Sequence, residues 1–176
     1  MITMLDAFDH QTTSNLYYPL KLWAINELNT ATHHHALAAY YDIYSPVACY
    51  SAIRLREVIG NKYQPVLAET LIYNGGDCIP AHKDRKGLEY AAIWPVYARG
   101  KPPSDFEIEN QLYPQKENEI LFFEGCKHKH RRSYYSGDGM VVLVLFYSKH
   151  CGVNLWNGYD KGKKILEKYD ATQTQH

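Results

Sequence analysis

Two hydrophobic rhythms divide the chain near residue 62. Before that point apolar positions recur at three- and four-residue spacing. Ser45 is a good N-cap, Pro46 a good first helical residue, and Val47, Tyr50, Ile53, Arg54 and Val58 follow at helix spacing until Gly60 ends the run. This predicts a helix over about 46–59, and Leu20 to Leu28 and Ala36 to Tyr44 read as helices of less definite length. From Pro65 onward the rhythm shortens. Val66 to Tyr73, Leu88 to Ala98, Phe106 to Leu112, Glu119 to Phe123 and Met140 to Ser148 are short runs rich in β-branched and aromatic residues, each a predicted strand. Turn-forming clusters separate them at Asn74-Gly75-Gly76-Asp77, at Gly100 to Asp105 and at Ser136-Gly137-Asp138-Gly139.

Many short strands after a helical start predict a mainly β fold with N-terminal helices, closed as a jelly roll. No repeat or linker interrupts the 176 residues, and 45% hydrophobic content is enough for one core, so a single domain over 1–176 is expected. Its helical part is placed at about 14–60, its β core at about 65–150, and a short tail at 160–176 closes as a helix or frays. Sixteen tyrosines suit half-buried pleated surfaces and the wall of a cavity.

Charge narrows the partners. Nineteen basic residues balance nineteen acidic ones, which gives no field to attract a nucleic-acid backbone or an anionic membrane. No apolar run is long enough to span a bilayer, and Asp6 and Asp9 stand where a secretion signal would be basic. A cytoplasmic protein with a small-molecule or peptide substrate is the expectation. Cys49, Cys78, Cys126 and Cys151 form no CxxC pair and are read as reduced, idle thiols. His33-His34-His35 resembles a metal tract, but successive helical residues point in different directions, so a solvated position is expected.

The candidate chemistry begins at His82-Lys83-Asp84. At strand period an imidazole and a carboxylate two residues apart point to one side. A second imidazole would complete a two-His, one-carboxylate triad, which suits Fe(II) and leaves positions open for a bidentate co-substrate and O2. Two candidates lie in Cys126-Lys127-His128-Lys129-His130-Arg131-Arg132, between the strand that ends at Phe123 and the final strand from Met140. His128, His130 and Arg132 share a face if that segment is extended. His130 is the favoured ligand, with His128 a neighbouring donor or the alternative.

The stretch Leu71-Ile72-Tyr73-Asn74-Gly75-Gly76-Asp77-Cys78-Ile79-Pro80-Ala81-His82-Lys83-Asp84-Arg85 resembles the R-x-Y-x-x-G-x-x-L-x-x-H-x-D-R segment of a bacterial branch of the 2-oxoglutarate and Fe(II)-dependent oxygenases. Gly125 to Gly137 is similar to its G-C-x-x-x-H-W-R-E-x-F-x-G segment, Trp94-Pro95 matches its W-P, and Glu89 stands where that branch has the Glu of a Cys-Glu pair. The likeness runs from about Tyr44 to Trp156. It implies a double-stranded β-helix (a cupin-like barrel) with His82, Asp84 and His130 as iron ligands, and an enzyme that decarboxylates 2-oxoglutarate to succinate while oxidising a substrate C–H bond. Asp84, where a halogenase would have Ala or Gly, disfavours halogenation.

One departure matters. About ten residues after the distal His, where many relatives place a basic anchor for the far carboxylate of 2-oxoglutarate, this chain has Met140. Arg132, helped by the Tyr73 hydroxyl, is the expected substitute, with Arg85 and Arg131 as rivals. Arg132 could equally brace the barrel by pairing with Glu89 or another acid, and Tyr73, Tyr90 and Tyr97 could be wall residues. If no residue replaces the anchor, the barrel would be an iron enzyme that does not use 2-oxoglutarate, or a non-catalytic binding module.

Overall fold

The computed structural model describes residues 1–7, 16–30, 40–42, 46–149, 164, 167 and 168. Helix α1 (Tyr17–Thr30) buries Leu20, Trp23, Ala24 and Leu28, a stripe at helical spacing. Helix α2 (Pro46–Ile59) coincides with the predicted helix and ends where the Gly60 N–H donates to Arg56 O at 2.9 Å, with Gly60 at φ +111°. Its buried stripe is Val47, Ala48, Ser51, Ala52 and Leu55, rotated from the larger apolar positions of the sequence; Tyr50, Ile53 and Val58 are only partly covered. Small side chains on the packed face let the helix lie close to the sheet beneath it.

Ten strands form two antiparallel sheets among the described residues. The larger has six: β1 (Ile2–Asp6), β8 (Glu119–Phe123), β5 (Tyr90–Arg99), β10 (Gly139–Ser148), β3 (Gln64–Tyr73) and β2 (Tyr40–Asp42), in that spatial order. The smaller has four: β4 (Ile79–His82), β9 (His130–Arg132), β6 (Phe106–Ile108) and β7 (Gln111–Tyr113).

Strand β10 explains the layering. All ten of its residues are buried, as expected for a strand covered on both faces. Val141, Leu143, Leu145 and Tyr147 pack with the helices in one core, whereas Met140, Val142, Val144 and Phe146 pack in a second core between the sheets. Strand β3 alternates the same way, sending Ala68 and Ile72 to the helices and Tyr73 to the interior between the sheets. Pro95 sits in a central strand, where it removes a ladder donor, and the β5–β10 register shifts there: Val142 faces Pro95 while Val141 faces Tyr97, so Val96 is the extra residue of a bulge.

The structure revises several expectations. Tyr40–Asp42 pairs with β3 as strand β2, so the helix expected over Ala36 to Tyr44 is not present at those three residues; the rest of that range lies outside the described residues. Strand-forming Tyr-Tyr pairs beside an open sheet edge outweigh local helix propensity. The run Phe106 to Leu112 is two strands, because Glu109 and Asn110 both adopt positive φ (49° and 66°) and turn the chain into a hairpin. Strands β1, β4 and β9 were not foreseen. Of the expected tail only 164, 167 and 168 are described, and they are helical. His33 to His35 and Cys151 lie outside the described residues; Cys49 and Cys78 are buried and Cys126 is partly buried. No helix among the described residues is long and apolar enough to cross a membrane.

One buried polar bond ties helix to sheet: the Tyr147 hydroxyl donates to Ala52 O at 2.7 Å. Tyr147→Phe is expected to lower stability by about 1 kcal/mol, read as a shifted urea midpoint with an unchanged slope.

Candidate metal centre

Strands β4 and β9 pair so that His82 stands directly opposite His130 and Ile79 opposite Arg132, with one extra residue on the β4 side. Cross-strand neighbours have their Cβ atoms about 5 Å apart, which brings two side chains to one point. The imidazole centroids are 4.3 Å apart. Asp84 lies just beyond the end of β4, where its N–H donates to Gly125 O at 3.1 Å, and its Oδ1 is 3.5 Å from Nε2 of both His82 and His130. These three residues form the candidate metal cluster among the described residues, with donor atoms all within 4.8 Å of one another.

The local backbone prepares these side chains. His82 Nδ1 is 2.8 Å from Pro80 O and His130 Nδ1 is 2.9 Å from His128 O, so each Nδ1 donates to a backbone carbonyl and each Nε2 is the ring nitrogen that faces Asp84. His130 is 4% exposed, stacked on Phe106 and met edge-on by Phe123, so its ring is held on both sides. His82 is 43% exposed and closes the outer side. Asp84 Oδ2 is buried with no hydrogen-bond partner, and a Cβ at position 125 would overlap it. Gly125 is thus the space into which the carboxylate fits. Two neutral nitrogens, one carboxylate and an orphaned buried oxygen make a donor set that fits a divalent cation such as Fe(II).

Without a metal, the two imidazoles and the carboxylate interact directly. Burial pulls the Asp84 pKa upward, but hydrogen bonding and charge from His130 and His82 outweigh it and hold the carboxyl below its ordinary value. The Asp84 contact raises His82 above its ordinary value, against partial burial.

A cavity of about 280 Å³ opens beside the cluster. Arg132, two residues after His130 and 1% exposed, lines it. Its Nη1 donates to Ser104 O at 2.7 Å, while Nη2 is buried and has no hydrogen-bond partner. The guanidinium carbon lies 5.7 Å from the centre of the Tyr73 ring and 5.2 Å from that of Phe106. Among the described residues no carboxylate pairs with Arg132 within 4.0 Å; the expected alternative partner, Glu89, instead accepts the Lys149 N–H at 3.2 Å. Burial raises the Tyr73 hydroxyl to about 12, and the charge and hydrogen bonding of Arg132 oppose that rise.

The other expected residues fall outside this constellation or on its rim. Arg131 points outward and pairs with Glu107 at 2.6 Å. His128 lies before β9 with its Nδ1 3.9 Å from Glu109, and serves the cluster only through the carbonyl that accepts from His130. Arg85 is exposed at the cavity mouth. Met140, on β10 opposite Tyr73, is fully buried. Glu69 was missed, although it is the one charge in the apolar run Val66 to Tyr73 and shares parity with Leu71 and Tyr73.

No known family pattern matches the sequence, and no curated protein is similar to it. Solved structures are similar in fold. The viral collagen prolyl hydroxylase vCPH from Paramecium Bursaria Chlorella virus-1, in complex with 2OG, matches with TM-score 0.59 and 9% identity over 83% of this chain and 94% of that one. A Pseudomonas putida prolyl-4-hydroxylase matches with TM-score 0.55 and 7% identity, over 85% and 93%. A Trichoplax adhaerens prolyl hydroxylase, in complex with a hypoxia inducible factor peptide fragment, matches with TM-score 0.55 and 12% identity, over 84% and 83%. At such identities the likeness is one of fold, and that fold is the double-stranded β-helix.

Two outcomes follow from the geometry. Gly125→Ala displaces the Asp84 carboxylate and is expected to weaken Fe(II) or Zn(II) binding tenfold or more, measured by metal titration on a variant whose circular dichroism matches the parent. In the metal-free protein, the raised His82 pKa contributes stability that is fully present below the ordinary 6.5 and is lost as pH rises through the raised value. The lowered Asp84 pKa contributes stability present above the ordinary 3.8 and lost as pH falls through the lowered value. Metal affinity runs opposite to the His82 contribution, strengthening as His82 loses its proton, so melting curves with and without metal should diverge as pH rises through neutrality.

Proposed function

We propose that the protein is an Fe(II)/2-oxoglutarate-dependent oxygenase that hydroxylates, or otherwise oxidises a C–H bond of, a small metabolite, amino acid or peptide side chain. In this reading His82, Asp84 and His130 hold the iron. When bound, iron with 2-oxoglutarate and O2 supplies the decarboxylation to succinate and the oxidation of the substrate.

The observation that carries the reading is the guanidinium of Arg132. Beyond the Tyr73 hydroxyl, the Asp105 carboxylate reaches the guanidinium only at longer range, and a buried cation so weakly paired is costly unless a ligand supplies the counter-charge. Nη2 is free to donate to a carboxylate, and the Tyr73 ring stands beside the guanidinium. Ser104 O orients the guanidinium from behind through Nη1. A dicarboxylate whose keto-acid end reaches the metal cluster places its far carboxylate in this corner. Arg132 thereby takes the part that Met140 cannot play. Ile93, Phe106 and Val142 line the cavity with apolar surface and keep water from the reacting centre. The fold-level likeness to prolyl hydroxylases, one of them solved with 2OG and another with a peptide, adds support.

The test is succinate formation on adding Fe(II) and 2-oxoglutarate, together with calorimetric titration of 2-oxoglutarate into the metal-loaded protein. Arg132→Met removes the anchor while filling similar volume and is expected to weaken 2-oxoglutarate binding tenfold to a hundredfold with the metal retained. Unchanged 2-oxoglutarate affinity in that variant would exclude Arg132 as anchor. Absence of both binding and succinate in the parent would overturn the oxygenase assignment.

A further inference from the structure

Strand β3 sends three side chains into the cavity, Glu69, Leu71 and Tyr73, at every second position. Tyr73 lies at the end where Arg132 sits; Glu69, four residues earlier, is about 13 Å away along the strand. The same wall therefore carries a cation at one end and an anion at the other, with the metal cluster also lining the cavity. Glu69 faces Val144 across the β3–β10 pair, in an otherwise apolar stretch of wall that includes Leu71, Val144 and Phe146.

Glu69 has no internal purpose that its surroundings explain. Among the described residues its side chain makes no hydrogen bond and no ion pair within 4.0 Å, and the Arg85 guanidinium reaches it only through longer-range attraction. It does not belong to the metal cluster. A carboxylate on the cavity wall of a central strand, half-buried among apolar neighbours, is a poor choice for stability, and Gln or Leu would pack there without the charge.

Resting on the oxygenase reading for its placement beside the metal, we propose that Glu69 is the specificity-determining residue of the substrate subsite, and that the substrate presents a cationic group, a protonated amine or a guanidinium, to its carboxylate. The co-substrate end is positive and takes the dianion; the substrate end is negative and takes the cation, so the two ligands cannot exchange places. Two cations, Lys83 and Arg85, also line the mouth, but both are exposed on the segment beyond β4 and keep their water. A solvated, flexible charge discriminates little, whereas a carboxylate fixed on a strand and partly stripped of water discriminates strongly. Burial raises the Glu69 pKa, with Arg85 opposing and Asp84 adding to the rise, as expected for an acid that awaits a counter-charge.

The test uses the full chain loaded with Zn(II) and 2-oxoglutarate, which binds without turning over, and four blocked amino acids as probes: the Nα-acetyl methylamides of lysine, arginine, norleucine and glutamate. Binding is followed by NMR titration. Lysine or arginine is expected to bind at least tenfold more tightly than norleucine, Glu69→Gln is expected to abolish that preference, and Glu69→Lys to shift it toward glutamate. Melting temperatures establish that each variant is folded. Equal binding of the charged and uncharged probes, no binding of either cation, a preference for glutamate in the parent protein, or a cation preference that survives in Glu69→Gln would each overturn the proposal. The 2-oxoglutarate titration of the parent protein fails or succeeds independently, and the probe series repeated without 2-oxoglutarate keeps the two assignments separable.

Discussion

Two imidazoles from different strands must present the same nitrogen to one point, and much of the barrel mouth is arranged around that constraint. Each ring would otherwise rotate and tautomerise freely. Backbone carbonyls two residues upstream, Pro80 O for His82 and His128 O for His130, accept from Nδ1 and leave Nε2 facing Asp84. The register of β4 against β9 brings the ring centroids to 4.3 Å with the planes tilted by 60°, and Phe106 and Phe123 fix the inner ring. The carboxylate arrives from a different direction, tethered by the Asp84 N–H to Gly125 O and admitted because residue 125 has no side chain. Metal binding would then need little rearrangement, because the ordering has already been done by folding.

The second organising element is the doubly covered strand β10. Its two faces serve two purposes: one anchors the helices, and the other, through Met140, Val142, Val144 and Phe146, faces the interior between the sheets, where Val142, Val144 and Phe146 line the cavity. Without the helical layer the larger sheet would expose Val141, Leu143 and Leu145 to water. Helices α1 and α2 thus cover the sheet on which the cavity is built, and the mouth beside His82 lies on the other side of that sheet.

The sequence announced much of this and concealed a definable remainder. Helix α2 was legible because Pro46 and Gly60 bracket it, and β10 because a continuous apolar run between turns leaves few alternatives. The His82 and Asp84 spacing is weak by itself and became legible through the resemblance of the whole stretch from Leu71 to Arg85. Strand parity could not separate His130 from His128, which share a face; the resemblance to the G-C-x-x-x-H segment favoured His130, and the structure places His130 and Arg132 inward with Arg131 outward between them. Strand β4 was hidden because it has only four residues, one of them Pro80, and strand β9 because its three residues are all polar and carry no apolar alternation. Strand β2 was hidden because its pairing with β3 is a long-range decision that no local window contains. Glu69 was overlooked for a different reason: a single charge inside an apolar strand reads as noise unless its parity with Tyr73 is counted.

The location of Arg132 has a mechanical consequence. In a barrel whose anchoring cation sits on a different strand from the distal histidine, the span between metal and anchor depends on how two strands slide against each other. Here His130 and Arg132 both belong to β9, two residues apart, so were Arg132 the anchor, the separation of the two backbones would be the rise of a single extended strand, about 7 Å. Bulges such as the one at Pro95 can accumulate in the larger sheet without changing it. The ruler that would measure the co-substrate is covalent, and evolution is then free to reshape the opposite wall.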